Sequence, residues 1–207
     1  MTDSTTRERN RRGEGSKLRE EILAAAADLL ERDGSEDAVT LRAVAREVGI
    51  SAPSIYGHFD DREAIVAAVI DSAFTDFVAA LRAVVDVDVD DPVQRLRRIG
   101  RAYLAFAAEH PRRYRLLFDR RDLERDDRPR AGVRRDSFGV LADALQACVD
   151  AGRSTSIDVL GDATSMWTSL HGFATLRAGV TQFPWPAETT MLDKILYRLG
   201  GITEPAR

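Results

Sequence analysis

One cysteine, Cys148, stands in 207 residues, so no internal disulfide can form and no thiolate pair can hold zinc or run redox exchange. Histidine is nearly as scarce. His58, His110 and His171 are scattered without metal-ligand spacing, so neither a metal nor a cofactor is expected. Long hydrophobic runs are missing too. Ile22 to Leu30 and Ile65 to Ile70 fall far short of the roughly 20 residues that cross a bilayer, and the opening MTDSTTRERNRRGEG has no apolar signal core. No membrane partner is expected, and the chain reads as cytoplasmic. There is no glycine-rich phosphate loop, no Ser/His/Asp or Cys/His arrangement and no facing pair of core carboxylates, so an enzyme is not expected.

What is present is an ordinary globular balance, 44% hydrophobic and 31% charged, enough for one large or two small domains. A formal charge of −4 argues against a protein that coats nucleic acid indiscriminately. The charge is unevenly placed, however. From Arg7 to Arg19 six cations face two anions, a basic arm ahead of a neutral-to-acidic body. Such an arm is either a solvated tail or an electrostatic approach to an anionic partner.

Nearly everything after the arm has helical periodicity, and no strand alternation or internal repeat appears. Leu18, Ile22, Ala25, Ala26, Leu29 and Leu30 make Lys17 to Arg32 amphipathic, stopped by Asp33-Gly34. Thr40 caps a short helix, Leu41 to Val48, that ends at Gly49, and Ser51 caps another, Ala52 to His58. A long helix opens at Asp60-Asp61 and keeps one apolar stripe to about Val85. After the turn DVDVDDP come helices over Val93 to Glu109 and Arg112 to Phe118, then a charged loop DRRDLERDDRPR. Three more run over Pro129 to Ala151, Thr155 to Val180 and Ala187 to Leu199. The fold class is therefore all-α, with about nine helices. The organisation is a disordered arm over 1–16, a helix-turn-helix domain over 17–63 and a helical domain over 64–207.

The stretch TLRAVAREVGISAPSIYGHF, Thr40 to Phe59, carries two helices of about eight residues each. Isolated helices below roughly 12 to 15 residues are marginal in water, so packing must hold these. Ala45 is small where the helices cross, Gly49 can turn left-handed, and Ile50, Ile55 and Phe59 point inward. Ala52, Pro53, Ser54 and Tyr56 are left facing out. These are small or polar groups suited to a major groove, and the backbone at Ser51 suits a phosphate.

From Leu18 to Ala68, with VTLRAVAREVGISAPSIYGHFDDREAIVAAVI at its centre, the sequence resembles the TetR family of bacterial transcription regulators. The family usually has Lys where Arg62 stands. The resemblance implies that Thr40, Tyr56, His58 and Arg62 hold the DNA backbone, while Arg42, Ala52 and Pro53 approach base edges, Arg42 alone being able to grip guanine bidentately. The structural alternatives are that Thr40 only caps, Tyr56 only packs, Arg42 is solvated and His58 is a satisfied structural histidine.

HPRRYRLLFD, His110 to Asp119, and MWTSLHGFATLRAGV, Met166 to Val180, look like the ligand-binding domain of a TetR-type subgroup marked by Trp and then His-Gly in the penultimate helix. Tyr103, Phe106, Phe118, Phe138, Trp167 and His171 would line an apolar effector pocket, with His171 orienting a polar ligand group. Trp167 and His171 are equally candidates for core. Leu170, Ala174 and Ala178, with Met191, Ile195 and Leu199, are candidates for a dimer bundle or, again, for intrachain core. The implied function is a homodimeric, ligand-responsive regulator, most simply a repressor of an adjacent gene that binds a palindromic double-stranded operator and is released by a small hydrophobic molecule. The other reading is a helix-turn-helix regulator that docks protein and does not bind an operator directly.

Overall fold

The computed structural model describes residues 15–85, 91–118 and 128–203, with side chains described from 16–85, 91–118 and 136–203. The expected arm over 1–16 lies outside these residues except at its last two positions, as does most of the charged loop after Phe118. Eight α-helices occupy the described residues: α1 Gly15–Asp33, α2 Leu41–Val48, α3 Arg62–Ala83, α4 Pro92–Glu109, α5 Pro111–Leu117, α6 Arg128–Asp150, α7 Val159–Gly179 and α8 Glu188–Arg198. Two 3-10 turns, Glu36–Ala38 and Ala52–Gly57, complete the set. The chain divides into two compact units between Ser72 and Ala73.

In the N-terminal unit α1 packs on α2, and α2 on the Ala52–Gly57 turn. Ile22, Ala26, Leu29 and Leu30 of α1 are at most 2% exposed, as are Val44 of α2 and Ile55 of the turn. Each large side chain so buried contributes about 1.5–3 kcal/mol, which supplies what eight residues of α2 cannot supply alone. Both ends of α2 are closed locally. The Thr40 side chain accepts a bond from the Ala43 N–H at 3.1 Å, and Gly49 turns left-handed at φ 75°. The Ile50 N–H then reaches the Ala45 carbonyl at 2.9 Å.

In the C-terminal unit α4 is central, packing on α5, α6, α7 and α8. Gly100 lets α4 approach α8 closely, since a Cβ there would stand 2.5 Å from Leu192 Cδ1. Leu170 is 1% exposed and Ile195 3%, so these two members of the expected dimer stripe belong to the core of their own chain. The helix expected from Thr155 starts instead at Val159, capped by Asp158, whose carboxylate accepts from the Gly161 N–H at 3.0 Å. The preceding residues are extended because their backbone is taken elsewhere. Thr155 N–H donates to Gly201 O at 2.9 Å and Thr203 N–H to Arg153 O at 3.0 Å, around an antiparallel bridge between Ser154 and Ile202.

α3 is long and apolar enough to span a bilayer by length and composition alone. The stripe that makes it so is instead interior: Ile65, Val66, Val69, Ile70, Phe74 and Phe77 are all buried.

Candidate functional site

The helix-turn-helix presents most of its expected DNA side chains outward. Ile55 at 0% exposure and Phe59 at 5% anchor the second segment, and this turns Pro53, Ser54 and Tyr56 to solvent, with Tyr56 59% exposed. Thr40, Arg42 and Ser51 are exposed as well, whereas Ala52 and His58 are half-buried. The second segment is a 3-10 turn where an α-helix was expected. Ser54 N–H bonds Ser51 O at 2.9 Å and His58 N–H bonds Ile55 O at 2.8 Å, each spanning three residues. The segment is six residues long, and its end is shared with a four-residue bond from Phe59 N–H to Ile55 O at 3.0 Å. The Ser51 and Ser54 hydroxyls bond each other at 2.7 Å, so Ser51 makes no side-chain capping bond.

Arg62 is bonded within its own unit. Its Nε donates to the Val39 carbonyl at 2.7 Å, one terminal nitrogen donates to the Glu36 carbonyl, and the other reaches Glu63 Oε1 at 3.4 Å. A cation that sequence reasoning left in the arm takes up a position in the motif: the Arg19 guanidinium lies 4.8 Å from the centre of the Phe59 ring.

The C-terminal unit gathers the expected aromatic residues around two that were not singled out, Phe77 and Tyr114. Phe77 packs on Tyr103 at 5.2 Å between ring centres and on Phe106 at 5.0 Å. Phe118 lies 4.6 Å from His171 and 6.3 Å from Trp167, and Phe138 meets Trp167 edge-on at 6.3 Å. Among the described residues Phe106 joins this group through Phe77. Tyr114 was visible in the HPRRYRLLFD stretch, but nothing local marks it as the hub.

Through this apolar cluster runs a polar chain. Tyr103 and Tyr114 hydroxyls are 2.7 Å apart, and Tyr114 Oη is 2.8 Å from His171 Nδ1. Burial drives the pKa values of both tyrosines above the ordinary tyrosine range, so both stay protonated; bonds with the Tyr114 and Trp167 side chains partly offset this at Tyr103. Burial lowers the pKa of His171, which favours the neutral ring. A neutral imidazole has one accepting nitrogen, so the tautomer sets the sense of the chain: with the proton on Nε2, Nδ1 accepts from the Tyr114 hydroxyl, and with the proton on Nδ1 the ring donates to it.

Two hollows flank α4. One of about 380 Å³ lies between Leu104 and Ala107 of α4 and Phe173 and Ala174 of α7, with the Arg177–Glu188 ion pair, 3.3 Å, at its rim. The other, about 540 Å³, is floored by Ile99, Val140 and Ala144 and rimmed by Arg82, Arg95 and Asp136. None of the six expected effector residues lines either one. Among the described residues no cluster of three or more His, Cys, Asp and Glu is placed to hold a metal ion.

Comparison with known proteins agrees with this architecture. Residues 22–69 match the bacterial regulatory proteins of the tetR family, and residues 96–198 match the tetracyclin repressor-like C-terminal domain. An HTH-type transcriptional regulator of Mycobacterium tuberculosis is 27% identical over 184 residues, 89% of this chain and 81% of the relative. The nucleoid occlusion factor SlmA of Vibrio cholerae is 29% identical over 99 residues, 48% of this chain and 50% of that one. A solved structure of a protein of unknown function from Rhodococcus sp. RHA1 superposes with a TM-score of 0.78 at 25% identity, covering 98% of this chain and 100% of its own. The TetR family transcriptional regulator PfmR of Thermus thermophilus has the same fold, with a TM-score of 0.65 at 23% identity and coverage of 88% and 99%. With a capped helix-turn-helix at one end, a helical effector-type domain at the other and both family patterns matched in order along one chain, this protein belongs to the TetR family and is a DNA-binding transcriptional regulator.

Proposed function

We propose that the protein is a homodimeric repressor that leaves its operator when a hydrophobic or aromatic small molecule reaches the Tyr103, Tyr114 and His171 chain. Proteins of this family bind DNA operators, act as dimers and respond to small-molecule effectors. The observation that carries the reading for this chain is the relay itself, with Tyr103 and Tyr114 hydroxyls and His171 Nδ1 linked at 2.7 and 2.8 Å inside aromatic packing. A core that only had to be filled would be built more cheaply from hydrocarbon, because every buried polar atom must find a partner. A ligand group that replaces one partner re-pairs the chain and shifts the packing around it. Phe74 and Phe77 bring α3 into the cluster, and α3 is the helix whose first residue is Arg62. The ligand acts by binding one of two arrangements more tightly than the other.

On the DNA side, Thr40, Ser51, Tyr56 and His58 hold phosphates, while Arg42, Ala52, Pro53 and Ser54 face the base edges of a palindromic operator. The working compartment is the cytoplasm. A gel shift on the DNA upstream of its own gene tests both halves. The protein should give a salt-sensitive, sequence-selective shift that an aromatic effector reverses. His171→Ala should keep the shift and lose the reversal, and Trp185→Phe protein should report the same effector through Trp167 emission. A His171→Ala protein that the effector releases at the parent concentration would remove His171 from the site.

A further inference from the structure

Arg62 opens α3, yet its guanidinium is spent within the N-terminal unit. Nε donates to Val39 O at 2.7 Å, and one terminal nitrogen donates to Glu36 O while standing 3.8 Å from the Asp37 carboxylate. The other terminal nitrogen lies 3.4 Å from Glu63 Oε1. The side chain is 29% exposed. Both carbonyls belong to the turn that leads into α2. Val39 is fully buried, and the next residue is Thr40, whose hydroxyl caps α2 two residues ahead of Arg42.

We propose that Arg62 is a positioning residue for operator recognition: its fork clasps the Glu36–Val39 turn to the start of α3 and so fixes Thr40 and Arg42, and it makes no phosphate contact of its own. Three features of the site support this. The fork geometry is used, since Nε and a terminal nitrogen serve separate carbonyls, and a lysine has no donor at the Nε position. The charge is used as well, since Asp37 and Glu63 carboxylates flank the guanidinium and offset the field a phosphate would sense. Finally, the bonds run to backbone, so releasing them frees the turn itself.

The clasp rests on the reading that Thr40 and Arg42 meet DNA, and salt dependence separates the two ideas. Operator affinity is measured across a salt series for Arg62→Lys, Arg62→Ala, Thr40→Ala and the Arg62→Ala/Thr40→Ala pair, with circular dichroism to show that each is folded. Both Arg62 variants should lose affinity by about tenfold or more, because charge-assisted bonds are lost, while the salt slope stays at the parent value. The double variant should lose less than the product of the single losses, since both act on the same cap. A slope lowered by about one in Arg62→Ala, or parent affinity in Arg62→Lys, would show a phosphate contact and overturn the clasp. If Arg62→Ala does not fold, Arg62→Lys alone decides through its affinity and slope. Thr40→Ala at parent affinity would remove the Thr40 contact, and the slope of the Arg62 variants would still decide the clasp.

Discussion

At the scale of single residues the effector domain turns on Tyr114. Its hydroxyl is the middle link, so Tyr114→Phe strands the Tyr103 hydroxyl on one side and His171 Nδ1 on the other. Stranding buried polar groups costs about 1–3 kcal/mol, whereas removing a whole chain of partners costs less than its parts. Urea melts should place Tyr114→Phe well below the parent, with Tyr103→Phe/Tyr114→Phe closer to the parent than additivity allows; strict additivity would mean the hydroxyls are not coupled. The same chain sets a pH dependence. Burial lowers the His171 pKa below its ordinary 6.5, so the unfolded chain takes up the proton more readily than the folded one. The stability this contributes is present in full above about pH 6.5 and is lost as the pH falls from there through the folded value. The parent's urea midpoint should therefore drop between about pH 7.5 and pH 5.5, and His171→Asn should flatten that slope. An unchanged slope in His171→Asn would assign the dependence to other groups.

At the scale of elements, α2 and the turn after it are too short to persist unless both caps hold. Gly49 at φ 75° ends α2, and a side chain in that conformation costs roughly 1–2 kcal/mol. Gly49→Ala should raise amide exchange across Leu41 to Phe59 together, with Gly49→Asn milder; exchange raised at Gly49 and Ile50 alone would show that the segment does not open as a unit. The element that was read to its ends from sequence is this same α2, because Thr40 and Gly49 are local signals acting within a few residues. Where local signals gave out, the sequence misled. Thr155 reads as the start of a helix, but its N–H and hydroxyl both donate to Gly201 O, far along the chain. The Arg62 bonds to the Glu36 and Val39 carbonyls have no local signal, because those partners lie across a whole helix-turn-helix. The aromatic residues of the effector cluster were visible as a set. Their order around Phe77 and Tyr114 was not, since it depends on how α3, α4, α5 and α7 cross.

At the scale of the whole molecule, one recognition turn covers too little groove to be selective, and a two-fold dimer solves this by placing two turns about 34–36 Å apart or a multiple of it. Leu170 and Ile195 are committed to the core of their own chain, whereas Ala178 is exposed and Ala174, Met191 and Leu199 are half-buried. We place the pairing surface on the outward side of α7. Thr164, Thr168 and Thr175 are exposed along it, Gly161 and Gly172 are half-buried, and Leu160 and Leu176 stand out near its two ends at 67% and 53% exposure. Small residues along the middle let two helices approach closely, and an antiparallel two-fold crossing near Thr168 brings the Leu160 end of one α7 to the Leu176 end of its partner. Burying each leucine there contributes about 1.5–3 kcal/mol. Sedimentation at micromolar concentration should give a dimer for the parent. Thr168→Arg puts a long cation at the crossing point and should give a monomer with undiminished helical circular dichroism. On a palindromic operator that monomer should bind no more tightly than on a single half-site, because the second recognition turn no longer arrives with the first. A parent monomer in solution would remove the dimer, and a Thr168→Arg protein still dimeric would move the interface off this side of α7.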